Sequence, residues 1–337
     1  MKYSNNVINI LTAKTYKGIG RAWIVKNIKG NESIEDIVLL LNKDVKLEYP
    51  ITKDDFENNI KIIEDKLYKL KEFIDGAVAI GDDGFPQHRG TVKNSEQPIV
   101  LFYKGDIDLL NINNSNISVI GLLNPDNEIE KREKKIVQEI VKQDITIVSG
   151  LALGCDSIAH KQALLGGKTI AILPNSLNNI LPVKNENLAY EILEKRGLLI
   201  SEYYEDFKSG RELSSRYKER DRLQALFCDT IILAASYAQD SAKRWNIHDQ
   251  KLDSGARLAM EYAKNYKVPR AVMYNEDADI NNPMFDLNRQ LIAEEKDITI
   301  LTPKNLEIII NTIKEKACIT NHRREQGYSE GLFNFNS

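Results

Sequence analysis

A glycine-containing turn offers the clearest chemistry in this sequence. Residues 148–157 read V-S-G-L-A-L-G-C-D-S and lead from a short apolar run into a helical segment. Gly150 and Gly154 let a ligand approach the backbone closely, and the free amides at the start of the new helix favour a phosphate. The segment therefore predicts a phosphate-binding turn.

The same turn also has a purely structural interpretation. Asp156 or Ser157 can cap the helix, and His160 can pack in the core. Asp156 and His160 share one helical face, which is also the spacing of an acid–base pair. We expect a cap and a packed histidine rather than a catalytic pair.

The strongest basic concentration lies in residues 208–222, which hold six cations against three acids, a local net charge of +3. The six cations are Lys208, Arg211, Arg216, Lys218, Arg220 and Arg222. We expect Arg220 and Arg222 to stand where a loop enters a helix and to converge on a phosphate at the helix start. A solvated helix face with salt bridges explains the same residues equally well.

Two further glycine turns suit an anion. Ser254 can cap a helix and donate its hydroxyl, while Gly255 exposes the backbone. Near the N-terminus, Gly18 and Gly20 have the spacing of helix-hairpin-helix elements, whose turn amides contact DNA phosphates. A plain interhelical turn explains Gly18 and Gly20 equally well.

Apolar periodicity predicts the framework that positions these turns. After residue 115, continuous apolar runs alternate with helical segments, as in a parallel sheet buried on both faces. Two predicted strands, 77–80 and 99–103, precede this region. Seven lie within it, namely 117–120, 145–148, 169–173, 198–200, 230–234, 270–273 and 298–301. The predicted helices that alternate with these strands are 128–143, 157–165, 186–195, 220–227 and 255–265, and a last helix at 305–316 follows them. This order predicts a doubly wound α/β domain, whose ligands bind beyond the carboxyl ends of the strands.

The chain is predicted to divide near residue 75. Residues 1–75 hold short amphipathic helical runs at 7–15, 21–28, 33–41 and 53–73, and form a small helical domain. Residues 76–317 form the α/β domain, and residues 318–337 form a polar tail too short for a winged-helix domain.

Composition narrows the function classes. The 337 residues carry 46 Lys+Arg against 49 Asp+Glu, a net charge of -3 that does not indicate a nucleic-acid binder but permits a local basic patch. Three cysteines without metal or disulfide spacing predict reduced thiols in a cytoplasmic protein. No apolar window is long enough for a membrane span, so we expect a protein that is neither exported nor membrane-bound.

Taken in chain order, these motifs resemble the DNA-processing protein A family (DprA/Smf). The most specific match is residues 148–160, V-S-G-L-A-L-G-C-D-S-I-A-H, which is similar to the family's V-S-G-L-A-x-G-I-D-x-x-A-H. Further matches are Gly18 to Gly20, Gly81 to Pro86, Gly167 to Leu173, Pro182 with Asn185, Leu199 to Glu202, Arg220-Asp221-Arg222 and Ser254-Gly255.

The resemblance implies an extended Rossmann-like fold after a small domain of the SAM or helix-hairpin-helix type. It implies a homodimer that binds single-stranded DNA, protects it and helps load a RecA-type recombinase in transformation or recombination. No enzymatic activity, cofactor or metal is expected. The residues expected to bind phosphate or nucleic acid are Gly121, Gly150, Gly154, Lys184, Asn185, Arg216, Lys218, Arg220, Arg222, Ser254 and Gly255.

The chain departs from the family pattern at three places. Gly121 is followed by Leu122 and Leu123 where the family has Ser or Thr and then a phosphate-contacting Arg, Asp221 replaces an Asn, and residues 236–253 are an insertion. Two alternatives therefore stay open: a Rossmann-like sensor of nucleotides or nucleotide signals, for instance in antiphage defence, and an adaptor with a vestigial pocket. A near-neutral chain also predicts binding that weakens readily with salt, and favours dimers that present two patches to one strand.

Overall fold

A single sheet of nine strands forms the centre of the computed structural model, which describes residues 2–44, 49–247, 252 and 255–317. The strands are β1 (Gly76–Ala79), β2 (Val100–Gly105), β3 (Asn116–Ile120), β4 (Thr146–Ser149), β5 (Thr169–Ile172), β6 (Leu198–Ser201), β7 (Thr230–Leu233), β8 (Arg270–Met273) and β9 (Ile298–Leu301). Their order across the sheet is β1-β2-β6-β5-β4-β3-β7-β8-β9. β2 runs antiparallel to both β1 and β6, and the remaining neighbours are parallel.

Helices precede the sheet and cover its faces. The N-terminal helices are α1 (Asn5–Ala13), α2 (Arg21–Asn27), α3 (Ile34–Asp44) and α4 (Lys53–Tyr68). Those that follow are α5 (Asn127–Lys142), α6 (Cys155–Ala163), α7 (Glu186–Glu194), α8 (Gly210–Leu226), α9 (Ser241–Arg244), α10 (Ala256–Tyr266), α11 (Glu276–Asp279) and α12 (Asp286–Glu294). Residues 306–317 are helical as well. Among the described residues, no helix is long and apolar enough to cross a membrane.

The predicted α/β framework is confirmed. Each predicted strand is present. The continuous apolar runs of β5 and β7, for example, are buried along their whole length, as a sheet covered on both faces requires. The chain leaves β3 toward β4, β5 and β6 on one side and returns to β7, β8 and β9 on the other, which is the doubly wound arrangement.

The predicted start of α8 is wrong. The helix begins at Gly210 rather than near residue 220, with Ser209 as its cap, since the Ser209 hydroxyl accepts a hydrogen bond from Glu212 N at 3.2 Å. Its first turns are polar and give no apolar periodicity, so they resemble a loop in the sequence. Arg220 and Arg222 therefore lie in the second half of a helix and not at its entrance.

The N-terminal helices share an apolar core with one face of the sheet. Ile24 of α2 and Phe56 of α4 belong to the same buried cluster as Phe102 of β2 and Leu199 of β6. The extended segment before α1 also pairs with the start of β1, through a parallel bridge between Lys2 and Gly76. The division near residue 75 stays a prediction, and the predicted tail at 318–337 lies outside the described residues.

We predict that the N-terminal helices and the sheet unfold together. Ile24→Ala removes a side chain with 0% exposure from the shared core, and should lower the free energy of unfolding by about 2–5 kcal/mol. Ile62→Ala, at a position 52% exposed on α4, is the control and should change it by less than about 0.5 kcal/mol. Urea unfolding followed by circular dichroism should show one transition, and two separate transitions would contradict the shared core.

Candidate functional site

The carboxyl edge of the sheet brings most of the predicted site residues together. The strand order reverses at β3, and ligands of doubly wound sheets bind near such a reversal. Gly121 follows β3 there, and a Cβ at this position would lie 2.6 Å from Cys155 Sγ. Gly121 therefore permits close packing of α6 against the end of β3.

The backbone amides of the turn between β4 and α6 hold the carboxylate of Asp156. Asp156 Oδ2 accepts hydrogen bonds from Gly150 N at 3.1 Å and Ala152 N at 3.2 Å. Asn185 Nδ2 donates to the carbonyls of Leu151 at 2.8 Å and Ala152 at 3.0 Å. The amides that the sequence offered to a phosphate thus already hold a side chain of this protein.

Gly154 opens α6 in a conformation that only glycine adopts easily. Its φ is +74°, and a Cβ there would overlap the carbonyl oxygens of Leu122 and Leu123. Gly154 is therefore needed for the close approach of the turn after β3, whatever ligand the edge binds.

His160 is a packed core residue, as expected. Thr169 Oγ1 donates its hydrogen to Ile147 O at 3.0 Å, so His160 Nδ1, 2.7 Å from Thr169 Oγ1, must be the protonated ring nitrogen. Burial lowers the pKa of His160 to about 3, with the charge of Arg220 acting in the same direction. The ring is neutral and does not form an acid–base pair with Asp156.

Arg220 lies directly over Gly150. A Cβ at Gly150 would overlap Arg220 Nη1, so glycine is needed here for the approach of the protein's own guanidinium group. Arg220 Nη1 is 3.4 Å from Asp156 Oδ2, and Arg220 Nε is 3.1 Å from Asp221 Oδ1. Burial raises the pKa of Asp156, and the charge of Arg220 counteracts this rise. The guanidinium is thus held between two carboxylates.

Arg222 belongs to a second buried cluster. Its Nη2 pairs with Glu202 Oε2, and its Nε is 3.4 Å from Glu219 Oε2. Arg21 of α2 contacts the same two carboxylates, at 3.1 Å from Glu202 and 2.7 Å from Glu219. We call these four side chains the clamp cluster, because they join an N-terminal helix to the end of β6 and to α8.

Arg216 is buried against the loops that follow β5 and β6. Its Nη1 donates to Asn175 Oδ1 at 2.9 Å and to Glu205 O at 2.7 Å. Its guanidinium also lies 4.1 Å from the centre of the Tyr203 ring, which is a cation–π distance. Arg216 therefore fixes the path of both loops.

The predicted helix-entrance geometry for Arg220 and Arg222 is therefore corrected. Arg216, Arg220 and Arg222 are 7%, 6% and 1% exposed, and each is ion-paired. The alternative of a solvated helix face with salt bridges is correct about the ion pairs but wrong about the solvated face, because these three arginines are buried. The sequence did not indicate that Asp156, Glu202 and Arg21 lie beside these arginines, although the family match at Leu199 to Glu202 marked that segment.

Four cations of the same region stay exposed. Lys184, in the short 3-10 helix after β5, and Lys208, Arg211 and Lys218, at or near the first half of α8, form no ion pair with any described residue. Lys184 precedes Asn185, which holds the turn after β4, and Lys218 lies two residues before Arg220. These side chains are not part of the buried network at the carboxyl edge.

Gly255 is the remaining predicted position that the structure describes. Gly255 precedes α10 with a φ of +73°, and a Cβ there would be 2.8 Å from Asp221 Oδ2. Ser254 lies outside the described residues. Within the insertion, Trp245 packs with its ring centre 5.6 Å from the Arg289 guanidinium. No group of His, Cys, Asp and Glu side chains among the described residues has the arrangement of a metal site.

We predict that Gly150→Ala destabilises the fold through Arg220. The new methyl group must displace the guanidinium and leave Asp156 without its cation, which should cost about 3 kcal/mol. Gly210→Ala, where a Cβ meets nothing within 4 Å at the start of α8, is the matched control and should be neutral or stabilising. Urea unfolding at pH 7 measures both variants, and equal stabilities would contradict the contact.

We predict that Glu202→Gln weakens the clamp cluster in a pH-dependent way. Burial pushes the pKa of Glu202 upward, but Arg222 and Arg21 outweigh it and leave this pKa below its ordinary value of 4.5. The stability that Glu202 contributes is therefore present above pH 4.5 and is lost as the pH falls through the lower folded value. The free energy of unfolding of Glu202→Gln should be about 3 kcal/mol lower than that of the wild type at pH 7, and the two values should approach each other toward pH 3.

The matched control for this variant is Glu64→Gln, an exposed position on α4. Its free energy of unfolding should follow the wild type between pH 3 and pH 7. A constant gap between Glu202→Gln and the wild type over this range would exclude the ion pairs as its cause.

Comparison with known proteins identifies the family of this chain. The model of the family "DNA recombination-mediator protein A" matches residues 76–314. The chain is 32% identical to DNA processing protein DprA of Streptococcus pneumoniae over 46% of this chain and 52% of that protein. It is 38% identical to Protein Smf of Synechocystis sp. over 32% of this chain and 27% of that protein. The matches thus span about half the length of these relatives or less.

Solved structures of the family share the fold. Structural superposition on DNA processing protein A from S. pneumoniae gives a TM-score of 0.65 at 23% identity, covering 92% of this chain and 98% of the other. Superposition on DNA processing protein A from Helicobacter pylori, described for its single-stranded DNA binding mode, gives 0.53 at 26% identity, covering 69% and 98%. With the family match over residues 76–314, this chain belongs to the DNA recombination-mediator protein A family.

Proposed function

We propose that this protein binds single-stranded DNA through phosphate contacts along the carboxyl edge of its sheet and acts as a recombination mediator without enzymatic activity. Its family and the DNA-binding H. pylori relative support the ligand. The two side chains that could have formed an acid–base pair are committed to the fold, Asp156 to backbone amides and His160 to Thr169.

One observation carries the proposal, namely the separation of paired from unpaired cations on α8. The buried arginines, including Arg220, already have carboxylate partners, whereas Arg211 and Lys218 are exposed. Seven residues separate Arg211 from Lys218, so both lie on one helix face roughly 10 Å apart. Exposed cations on this face can contact the phosphates of a strand, whereas a buried guanidinium group cannot.

We assign the direct phosphate contacts to Lys184 and Lys218, with Lys208 and Arg211 extending the surface. The remaining predicted residues support this surface. Arg216, Arg220 and Arg222 fix the loops, Asn185 and the glycines shape the turns, and the Gly255 turn lies beside Asp221. The missing family arginine at Leu123 and the acid at Asp221 make the lysines the main source of positive charge at this edge.

Two further steps extend the proposal. A homodimer would present two such surfaces to one strand, which raises the affinity of a chain whose net charge is only -3.

A strand held by phosphates keeps its bases free for a RecA-type recombinase. Loading is measured as the rate of recombinase assembly on oligo-dT covered by single-strand binding protein, with and without this protein, and an unchanged rate would exclude the mediator role.

We predict that Lys184→Ala/Lys218→Ala weakens oligo-dT binding and flattens its salt dependence. Each phosphate contact on a single strand contributes about -0.7 to the log–log slope, so losing two should reduce the slope by about 1.4. Fluorescence anisotropy of labelled oligo-dT at several NaCl concentrations measures this slope.

The matched control is Lys161→Ala/Lys195→Ala, which removes two exposed lysines from α6 and from the far end of α7. It should leave the slope unchanged. An equal slope for the Lys184/Lys218 variant and the wild type would remove these lysines from the interface. Binding of nucleotides but not of oligo-dT would instead favour the sensor.

A further inference from the structure

A basic cavity lies at the opposite, amino edge of the sheet. It has a volume of about 580 Å³ and is bounded by the starts of β7, β8 and β9 and by the helix at 306–317. This volume lies within the range of small-molecule sites, roughly 300–1,000 Å³. The carboxyl-edge residues proposed to hold DNA do not line this cavity.

The cavity is positively charged in a chain that is negative overall. Five cations line it, namely Arg89, Lys264, Lys267, Arg270 and Lys316, against two carboxylates. Both carboxylates are already paired, Asp229 with Arg89 at 3.2 Å and Asp297 with Arg270 at 2.7 Å. Glu295, beside the cavity, pairs with Lys264 and lies 3.4 Å from Arg270 Nη2. Lys267 and Lys316 form no ion pair with any described residue, so they remain available to an anion.

Arg270 adds a buried donor that lacks an acceptor. The residue is 2% exposed, and its Nε has no hydrogen-bond partner although its Nη2 is paired with Asp297. A buried donor without a partner is unfavourable, and a small shift of the Arg270 side chain toward the cavity would let a ligand oxygen satisfy it. A phosphate is the group that an arginine and two free lysines bind best.

Part of the cavity lining is apolar. Val268, Pro269, Ile309 and Ile313 line it together with the hydroxyl-bearing Thr230 and Thr299. An inorganic anion would leave these side chains without a contact, whereas a ligand that joins phosphates to a flat ring system would cover them. The required chemistry is therefore that of a nucleotide.

We propose that this amino-edge cavity binds a free nucleotide, with its phosphates at Arg270, Lys267 and Lys316 and its base against Ile309 and Ile313. The site is independent of the proposed DNA surface, which lies at the other end of the strands. Both sites could be occupied at once.

Isothermal titration calorimetry with ADP, AMP and pyrophosphate tests the proposal on the full chain at low salt. ADP should bind, and Lys267→Ala/Lys316→Ala should weaken its binding at least tenfold. Both lysines are exposed, so the variant should fold, and Lys161→Ala/Lys195→Ala serves as the charge-matched control. Oligo-dT affinity of the Lys267/Lys316 variant should change less than twofold.

Four results would overturn the nucleotide site. The first is no heat with 1 mM ADP, and the second is ADP binding that survives Lys267→Ala/Lys316→Ala. The third is pyrophosphate binding as tight as that of ADP, which would leave the apolar wall without a role. Loss of ADP binding in Lys184→Ala/Lys218→Ala would place the nucleotide at the carboxyl edge and contradict the assignment as well.

Discussion

Two buried carboxylates organise the carboxyl edge of this sheet, Asp156 after β4 and Glu202 after β6. Each is held by an arginine of α8, Asp156 by Arg220 and Glu202 by Arg222. A buried charge without its partner costs several kcal/mol, so these pairs fix α8 across the ends of the strands. Arg21 extends the same network into the N-terminal helices. The loops at this edge, and the position of the helices beside them, depend on these ion pairs.

The network separates two uses of positive charge. Buried arginines shape the edge, and exposed lysines around it can bind a phosphate backbone without giving up a partner. This division explains how a chain with a net charge of -3 belongs to a family of recombination mediators. The proposed DNA surface needs only a few exposed cations, and the proposed affinity for DNA should be sensitive to salt.

Sequence predicted the strands well because buried parallel strands such as β5 are continuous apolar runs. It failed at the start of α8, where polar residues from Gly210 onward give no periodicity, and it predicted no helix for α12. The site was harder still. Arg220 and Asp156 lie 64 positions apart, so charge counts along the chain show a basic segment but not the carboxylate that neutralises it. Burial decides which cations are available, and only the packed structure shows it.

The central claim is that exposed lysines, and not the buried arginines, hold the strand. Lysine footprinting tests it most directly, by mass spectrometry after amine modification with and without oligo-dT. The account predicts that Lys184 and Lys218 become protected when oligo-dT is bound, while Lys195 at the far end of α7 and Lys267 at the amino edge keep their reactivity. Unchanged reactivity of Lys184 and Lys218 in a saturated complex would contradict it.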